Sequence, residues 1–254
     1  MPEPQQGESG TPRVAIVTGS ARNIGRAIAV ALARQGFAIV VHARGDKDGA
    51  AETRRLVEAE GASAETVLAD LADPGSAAQL VDAARGLGRP AVLVNNAAVR
   101  RAVPFAELTL EQWRAVMAVN VEAAFLCAQA CLPDMLAAGW GRIVNVGGLS
   151  AHRGTLNRVH VATSKAALVG FTKALAVDLA GTGIAVNCVV PGEIETVKSV
   201  SASGGHHYPG GDMPVIGRRG RPEEVAAMVA ALCGPESGYM IGQTLHVSGG
   251  AYMP

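Results

Sequence analysis

Short runs of β-branched residues alternate along the chain with longer stretches whose apolar positions recur at helical spacing. Segments 13–18, 37–42, 64–69, 91–95, 141–146, 183–190 and 243–247 are apolar and short, the pattern of strands. Segments near 24–35, 47–60, 75–86, 108–138, 159–180 and 222–233 carry the helical period. Strands that alternate with helices predict an α/β fold, in which a doubly wound, seven-stranded parallel sheet is covered on both faces and joined by right-handed crossovers.

Composition narrows the picture to one soluble domain. A chain of 254 residues, 49% of them hydrophobic, is long enough to bury one large core, and the pattern has no linker or repeat to divide it. Residues 1–12 are rich in Pro, Glu, Gln and Gly, lack the apolar core of a signal peptide and are expected to form a disordered tail, leaving 13–254 as the domain. The uncharged run 179–192 holds three glycines and a proline, so no membrane span is expected and the location implied is cytoplasmic. Basic and acidic residues balance at 22 each, which gives no electrostatic footprint for nucleic acid or anionic lipid.

Two further features bear on chemistry. Four cysteines make no disulfide framework, and Cys127 and Cys131, at i, i+4 on a predicted helix, have no neighbouring ligand to complete a metal site; buried thiols are expected and no metal. The one break in composition is 199–212, with four glycines and the pair His206-His207, within a segment of about 197–215 expected to be a mobile lid. The two histidines are either substrate or metal contacts or solvated loop residues.

The first predicted strand runs directly into Thr18-Gly19-Ser20-Ala21-Arg22-Asn23-Ile24-Gly25 and then a helix. That context suits a dinucleotide-binding turn: Gly19 permits the tight turn, Gly25 lets the helix approach the strand, and the helix N-terminus offers amides and a dipole to a pyrophosphate. With Asn95-Asn96-Ala97-Ala98, Asn120, the run 162–168 and Pro191-Gly192-Glu193-Ile194-Glu195-Thr196, this turn resembles the motifs of the short-chain dehydrogenase/reductase family, in order and spacing, across 13–250. The resemblance implies a Rossmann-type fold, a nicotinamide cofactor, a small-molecule substrate and a homotetramer or homodimer. Assembly would use the helices near 108–138 and 159–180, which are apolar on more than one face, with Phe125, Leu126, Cys131 and Leu132 on one and Leu168, Phe171, Leu175 and Val177 on the other.

Carried over residue by residue, the resemblance gives a cofactor site of Gly19, Ser20, Arg22, Asn23, Ile24, Gly25, Asp70, Leu71, Asn96, Ala97, Lys165, Pro191, Gly192, Ile194 and Thr196. Asn95 reads as structural. Asn23 departs from the pattern, since glycine usually stands there, though asparagine tolerates positive φ better than most residues. Arg44 occupies the position where NAD-type members place aspartate, and Arg22 one where NADP-type members often carry a cation. Two guanidiniums converging on a 2′-phosphate favour NADP(H) over NAD(H); the alternative is two solvated surface arginines.

The catalytic residues of the family are matched only in part. Asn120 and Lys165 stand where the resemblance expects the water-holding asparagine and the ribose-binding lysine. The proton-donating tyrosine is replaced by Val161, and the hydrogen-bonding serine, thirteen residues earlier, by Gly148. Substitute acids or bases are Glu193 and His160, each of which could equally be a residue without chemistry, while Ser150 and His152 could donate hydrogen bonds. Lys165 itself could act as a base or form an imine, and Arg100 and Arg101 could steer an anion. Three functions fit: an oxidoreductase whose substrate tolerates the lost donors, such as an iminium that already carries its charge; a lyase or isomerase reusing the cleft; or a cofactor-binding pseudoenzyme.

Overall fold

The computed structural model describes residues 10–197 and 214–254. Its seven strands are β1 (Arg13–Val17), β2 (Ala38–Ala43), β3 (Ala64–Leu68), β4 (Arg89–Asn95), β5 (Gly141–Val146), β6 (Ile184–Pro191) and β7 (Thr244–Val247). All pair in parallel, in the order β3-β2-β1-β4-β5-β6-β7. The helices are α1 (Asn23–Arg34), α2 (Lys47–Ala59), α3 (Ser76–Leu87), α4 (Leu110–Met117), α5 (Ala123–Ala137), α6 (Ser150–Arg153), α7 (Val159–Asp178) and α8 (Pro222–Cys233). The expected doubly wound Rossmann-type sheet is therefore the one observed.

Alternation along the strands builds two cores. In β1, Ala15 and Val17 join Ile28 and Leu32 of α1 and Val225 and Val229 of α8, while Val14 and Ile16 join Leu80 of α3 and Cys127 and Cys131 of α5 on the opposite face. Successive strand side chains point to opposite faces, so a central strand needs apolar residues throughout. All four cysteines are free and buried, and desolvation pushes the Cys127 thiol up to about 12, which leaves it an inert apolar group. No cluster of three or more metal-ligating side chains occurs among the described residues.

Several expectations need correction. The stretch predicted as one helix over 108–138 is α4, a π-helical turn at Ala118–Glu122, and α5. Its start is fixed by a capping box, in which Thr109 Oγ1 accepts from Gln112 N at 3.2 Å and Thr109 N donates to Gln112 Oε1 at 3.0 Å. The whole stretch Leu110–Ala137 is also long and apolar enough to cross a membrane, contrary to the reading of uncharged runs alone. Mean hydropathy over a window tolerates the few charges that interrupt such a run, and here the apolar residues include Ala123, Cys127, Cys131 and Met135 packed on the sheet. Of the two faces expected to meet other subunits, Cys131 and Leu168 turn inward and are buried, whereas Phe125 and Val177 are exposed. Pro12, assigned to the expected tail, pairs with the sheet, its carbonyl accepting from Arg89 N at 2.9 Å. Helix α6 went unpredicted because four residues are too few to show a period. Residues 198–213 of the lid expected over about 197–215, His206 and His207 among them, lie outside the described residues.

Candidate active site

The strand order reverses between β1 and β4, and the loops leaving the C-terminal ends of β1, β4, β5 and β6 meet there, the usual place for a ligand crevice in an open α/β sheet. The β1 turn is built tightly. Gly19 adopts φ +64°, and a methyl group added at Gly25 would lie 2.3 Å from the Gly19 carbonyl and 2.6 Å from Asn96 Nδ2. Asn96 braces the turn, donating from Nδ2 to the carbonyls of Thr18 at 2.8 Å and Gly19 at 3.0 Å. Thr18 Oγ1 returns the tie, accepting from the amides of Asn96 at 2.9 Å and Ala97 at 3.0 Å. Neither a side-chain cap nor an acidic residue occupies the first turn of α1, so its N-terminal dipole is left for an external anion. This geometry fits a dinucleotide pyrophosphate.

One residue that sequence reasoning treated only as part of a segment proves central to this turn. His42, buried in β2, accepts from Gly19 N at 3.0 Å through Nδ1 and bonds the Ala69 carbonyl at 3.0 Å through Nε2. Those partners require the neutral tautomer with hydrogen on Nε2. Burial lowers its pKa and so favours that form. Its backbone also engages Ser20, whose hydroxyl accepts from His42 N at 2.9 Å. A histidine inside an apolar strand, opposite a glycine turn, was the signal available in the sequence.

Of the two arginines assigned to a 2′-phosphate, one already has an acidic partner. Arg22 is bound by Asp46, with Nη2 donating to Oδ1 at 2.9 Å and Nε to Oδ2, and the carboxylate holds its pKa above the ordinary value. Asp46 is also the N-cap of α2, accepting from Gly49 N at 3.1 Å. It lies four residues beyond His42, a distance that let Arg22 and Arg44 be paired on paper without their intervening acid. Arg44 is exposed and makes no hydrogen bond or ion pair among the described residues. On the adenine side, Asp70 Oδ1 accepts from Ala72 N at 3.0 Å, and Leu71 is buried beneath it.

Toward the reacting end, Lys165 is buried in α7 and donates to the Val146 carbonyl at 2.7 Å. Burial, and then the nearby Arg100 guanidinium, lower its pKa to about 8. Val161, one helical turn earlier, shares that face of α7 and is buried. Gly148 leads out of β5 against the same lysine, and a methyl group added there would make ordinary contacts, 3.5 Å from Lys165 Cγ and 3.6 Å from Ser150 Oγ. The Ser150 hydroxyl has no partner among the described residues. Gly148 and Ser150 thus lie beside Lys165, with Val161 one turn away on the same helix.

Asn120 sits at the centre of the π-helical turn, a distortion that often marks functional sites. Its carboxamide is committed internally. Oδ1 accepts from Val99 N at 2.8 Å, and Nδ2 donates to Val99 O at 3.1 Å and Ser164 Oγ at 2.9 Å. Both amide hydrogens are used, so the side chain locks the loop after β4 onto α7 and has no donor left for a water. Asn95 is structural as expected: Nδ2 donates to Asn145 Oδ1 at 2.9 Å, and Asn145 Nδ2 to Thr172 Oγ1 at 2.9 Å, a buried chain joining β4, β5 and α7.

The remaining candidates separate. His160 is 1% exposed, its pKa is lowered first by burial and then by Arg158, and its ring engages the Arg101 backbone, which leaves it enclosed. His152 packs edge-on against His246 and tilted against Tyr252, with ring centres 4.5 and 5.2 Å away. Arg100 is half-buried beside Lys165 and Arg101 is exposed. Arg158, at the start of α7, is among the largest fully buried side chains, and nothing in the sequence pattern marked it. The strap that follows β6 is pinned at several points. Gly192 N donates to Val247 O at 2.9 Å, Gly220 N to the Glu193 carbonyl at 2.8 Å, and Glu195 N to Gly220 O at 2.8 Å. Glu193 and Ile194 are half-buried there and Thr196 is exposed.

Comparison with known proteins agrees with this geometry. Residues 19–252 match the family model described as enoyl-(acyl carrier protein) reductase. The 3-oxoacyl-[acyl-carrier-protein] reductase FabG of Aquifex aeolicus is 35% identical over 244 residues, covering 94% of this chain and 97% of that protein. The uncharacterized oxidoreductase YohF of Escherichia coli is 37% identical over 241 residues, covering 94% of this chain and 95% of the relative. Among solved structures, acetoin dehydrogenase YohF from Salmonella typhimurium superposes with a TM-score of 0.84 at 36% identity, covering 95% of this chain and 96% of that one. Acetoin dehydrogenase from Enterobacter cloacae gives 0.83 at 33% identity, covering 97% and 100%.

Proposed function

The chain belongs to the short-chain dehydrogenase/reductase family, and on that premise we propose that it is an NADP(H)-dependent oxidoreductase with a non-standard active site, acting on a small carbonyl, imine or alcohol. The observation that carries this is the pairing of a dinucleotide turn that is fully braced with a buried lysine, Lys165, against a wall in which Gly148 and Val161 stand at the serine and tyrosine positions. The turn of Gly19 to Gly25, with Asn96, Ala97, Lys165 and the strap of Pro191, Gly192, Ile194 and Thr196, would hold the cofactor. Arg44, free at the end of β2, would select the 2′-phosphate, with Arg22 joining it by exchanging Asp46 for phosphate.

A reduced nicotinamide, when bound, supplies the hydride. Lys165 delivers the proton to the carbonyl oxygen: one of its three ammonium hydrogens is held by Val146, and a pKa near 8 makes it a far better acid than an ordinary lysine. Ser150 donates the hydrogen bond that the residue at Gly148 no longer can, its free hydroxyl standing 3.6 Å from the place a side chain at 148 would begin. Reduction therefore falls as pH rises through about 8, where Lys165 loses its proton. We also propose assembly into a homodimer or homotetramer, with the exposed Phe125 on α5 in the interface.

The test begins with cofactor alone. Nicotinamide fluorescence titrations are expected to show NADPH binding at least tenfold tighter than NADH, with Arg44→Asp reversing the order. Binding of neither would sink the proposal. Acetoin and diacetyl, chosen because acetoin dehydrogenases are among the similar structures, are the first substrates to try, with Ser150→Ala expected to cost about 10- to 1,000-fold in kcat. NADPH binding with no turnover of any carbonyl or imine would instead favour a cofactor-binding pseudoenzyme.

A further inference from the structure

Asn23 is where this chain departs from the glycine of its family's turn, and the structure shows what the side chain does. The residue holds φ +52°, the left-handed region that glycine occupies without strain. Its carboxamide pairs with the main chain of Val197 in both directions: Nδ2 donates to Val197 O at 3.0 Å, and Val197 N donates to Oδ1 at 2.9 Å. A glycine could make neither bond.

The two partners lie 174 residues apart in sequence, each beyond the C-terminal end of a different strand. Asn23 follows the C-terminal end of β1, and Val197 lies in the strap that leaves β6. In the strand order β4 and β5 lie between them, so the strap spans three strand spacings, roughly 14 Å, across the C-terminal edge. Beneath that span are the loops carrying Asn96, Ala97 and Gly148. The root of the strap is fixed by backbone bonds to Gly220 and Val247. At its far end, among the described residues, hydrogen bonds from the Asn23 carboxamide hold it.

We propose that Asn23 is a positioning residue for the dinucleotide: its carboxamide latches Val197 across the mouth of the cleft, and the dinucleotide enters and leaves when those two hydrogen bonds open. This rests on the cofactor assignment of the preceding subsection. The latch replaces contacts to water, so each bond is worth only a modest net amount, and the pair together corresponds to about a 5- to 30-fold effect on opening.

The experiment is stopped-flow NADPH fluorescence on the full chain, wild type against Asn23→Gly and Asn23→Asp, with hydrogen exchange at the Val197 amide and the Tm of the cofactor-free protein. Asn23→Gly is expected to raise both association and dissociation rates about 5- to 30-fold and to expose the Val197 amide to exchange. Its Tm shifts little, because relief of the left-handed φ offsets part of the two lost bonds; general loss of structure would instead lower Tm sharply. Asn23→Asp keeps the acceptor for Val197 N–H and loses the donor, so its Val197 amide should exchange at an intermediate rate. Wild-type rates and unchanged Val197 exchange in Asn23→Gly would overturn the latch while leaving the cofactor assignment standing. Failure of wild type to bind either NADPH or NADH would overturn both.

Discussion

Gly148 and Val161 leave different kinds of room behind. At Gly148 an added side chain meets Lys165 Cγ at 3.5 Å, an ordinary contact, and the backbone is not in the left-handed region. Val161 is 3% exposed, so a tyrosine there must displace its neighbours. Gly148→Ser should therefore leave Tm within a degree or two, whereas Val161→Tyr should cost about 1–3 kcal/mol in urea unfolding, the usual penalty of overpacking. The double variant should gain NADPH-dependent reduction of diacetyl over wild type, since it restores both oxygen-bearing groups around an intact lysine. Inactivity of a folded, NADPH-binding double variant would mean that the pocket has diverged beyond these two positions. How residues 148 and 161 are spaced from Lys165 was legible in the sequence. That Ser150 turns a free hydroxyl toward the gap was not, because four-residue α6 gives no periodicity from which to read a direction.

Elements meet at the site through buried polar ties that carry no sequence period. The π-helical turn between α4 and α5 sets Asn120 against Val99 and Ser164, locking the loop after β4 to α7. Removing that carboxamide in Asn120→Ala leaves Ser164 and the Val99 main chain to find other partners. We expect a loss of about 1–3 kcal/mol in chemical unfolding and a reduced kcat as Lys165 loses its fixed helix. A change in kcat with no loss of stability would contradict the locking role. Most strands and helices could be placed from their apolar periods, within two residues at most ends. The split of 108–138 into α4, the π-helical turn and α5 could not, since one extra residue in a turn barely shifts a helical period.

At the scale of the whole molecule, histidine burial gives the protein an acid limit. His42, His152, His160 and His246 all have pKa values lowered from 6.5, with burial the largest cause in each. Below pH 6.5 the unfolded chain takes up protons that the folded chain resists. The stability these groups contribute is present above about pH 6.5 and is lost as pH falls through their lowered folded values. Tm should therefore decline from pH 7 to pH 5, and dinucleotide affinity should fall with it, because a proton on His42 Nδ1 would face the Gly19 amide it now accepts from. A Tm flat across that range would contradict the assignment of neutral buried histidines.

Periodicity, motif order and residue identity alone determined the seven-stranded parallel sheet, the position of the glycine turn after β1 and the spacing of Gly148, Val161 and Lys165, because each depends on local pattern or on spacing along the chain. Tertiary structure alone decided which partners those residues take. Arg22 pairs with Asp46, His42 reaches back to Gly19, Asn120 closes on Val99, and Asn23 ties itself to Val197. Hydrogen bonds between groups tens or hundreds of residues apart depend on how strands stack and loops cross. No local periodicity encodes that.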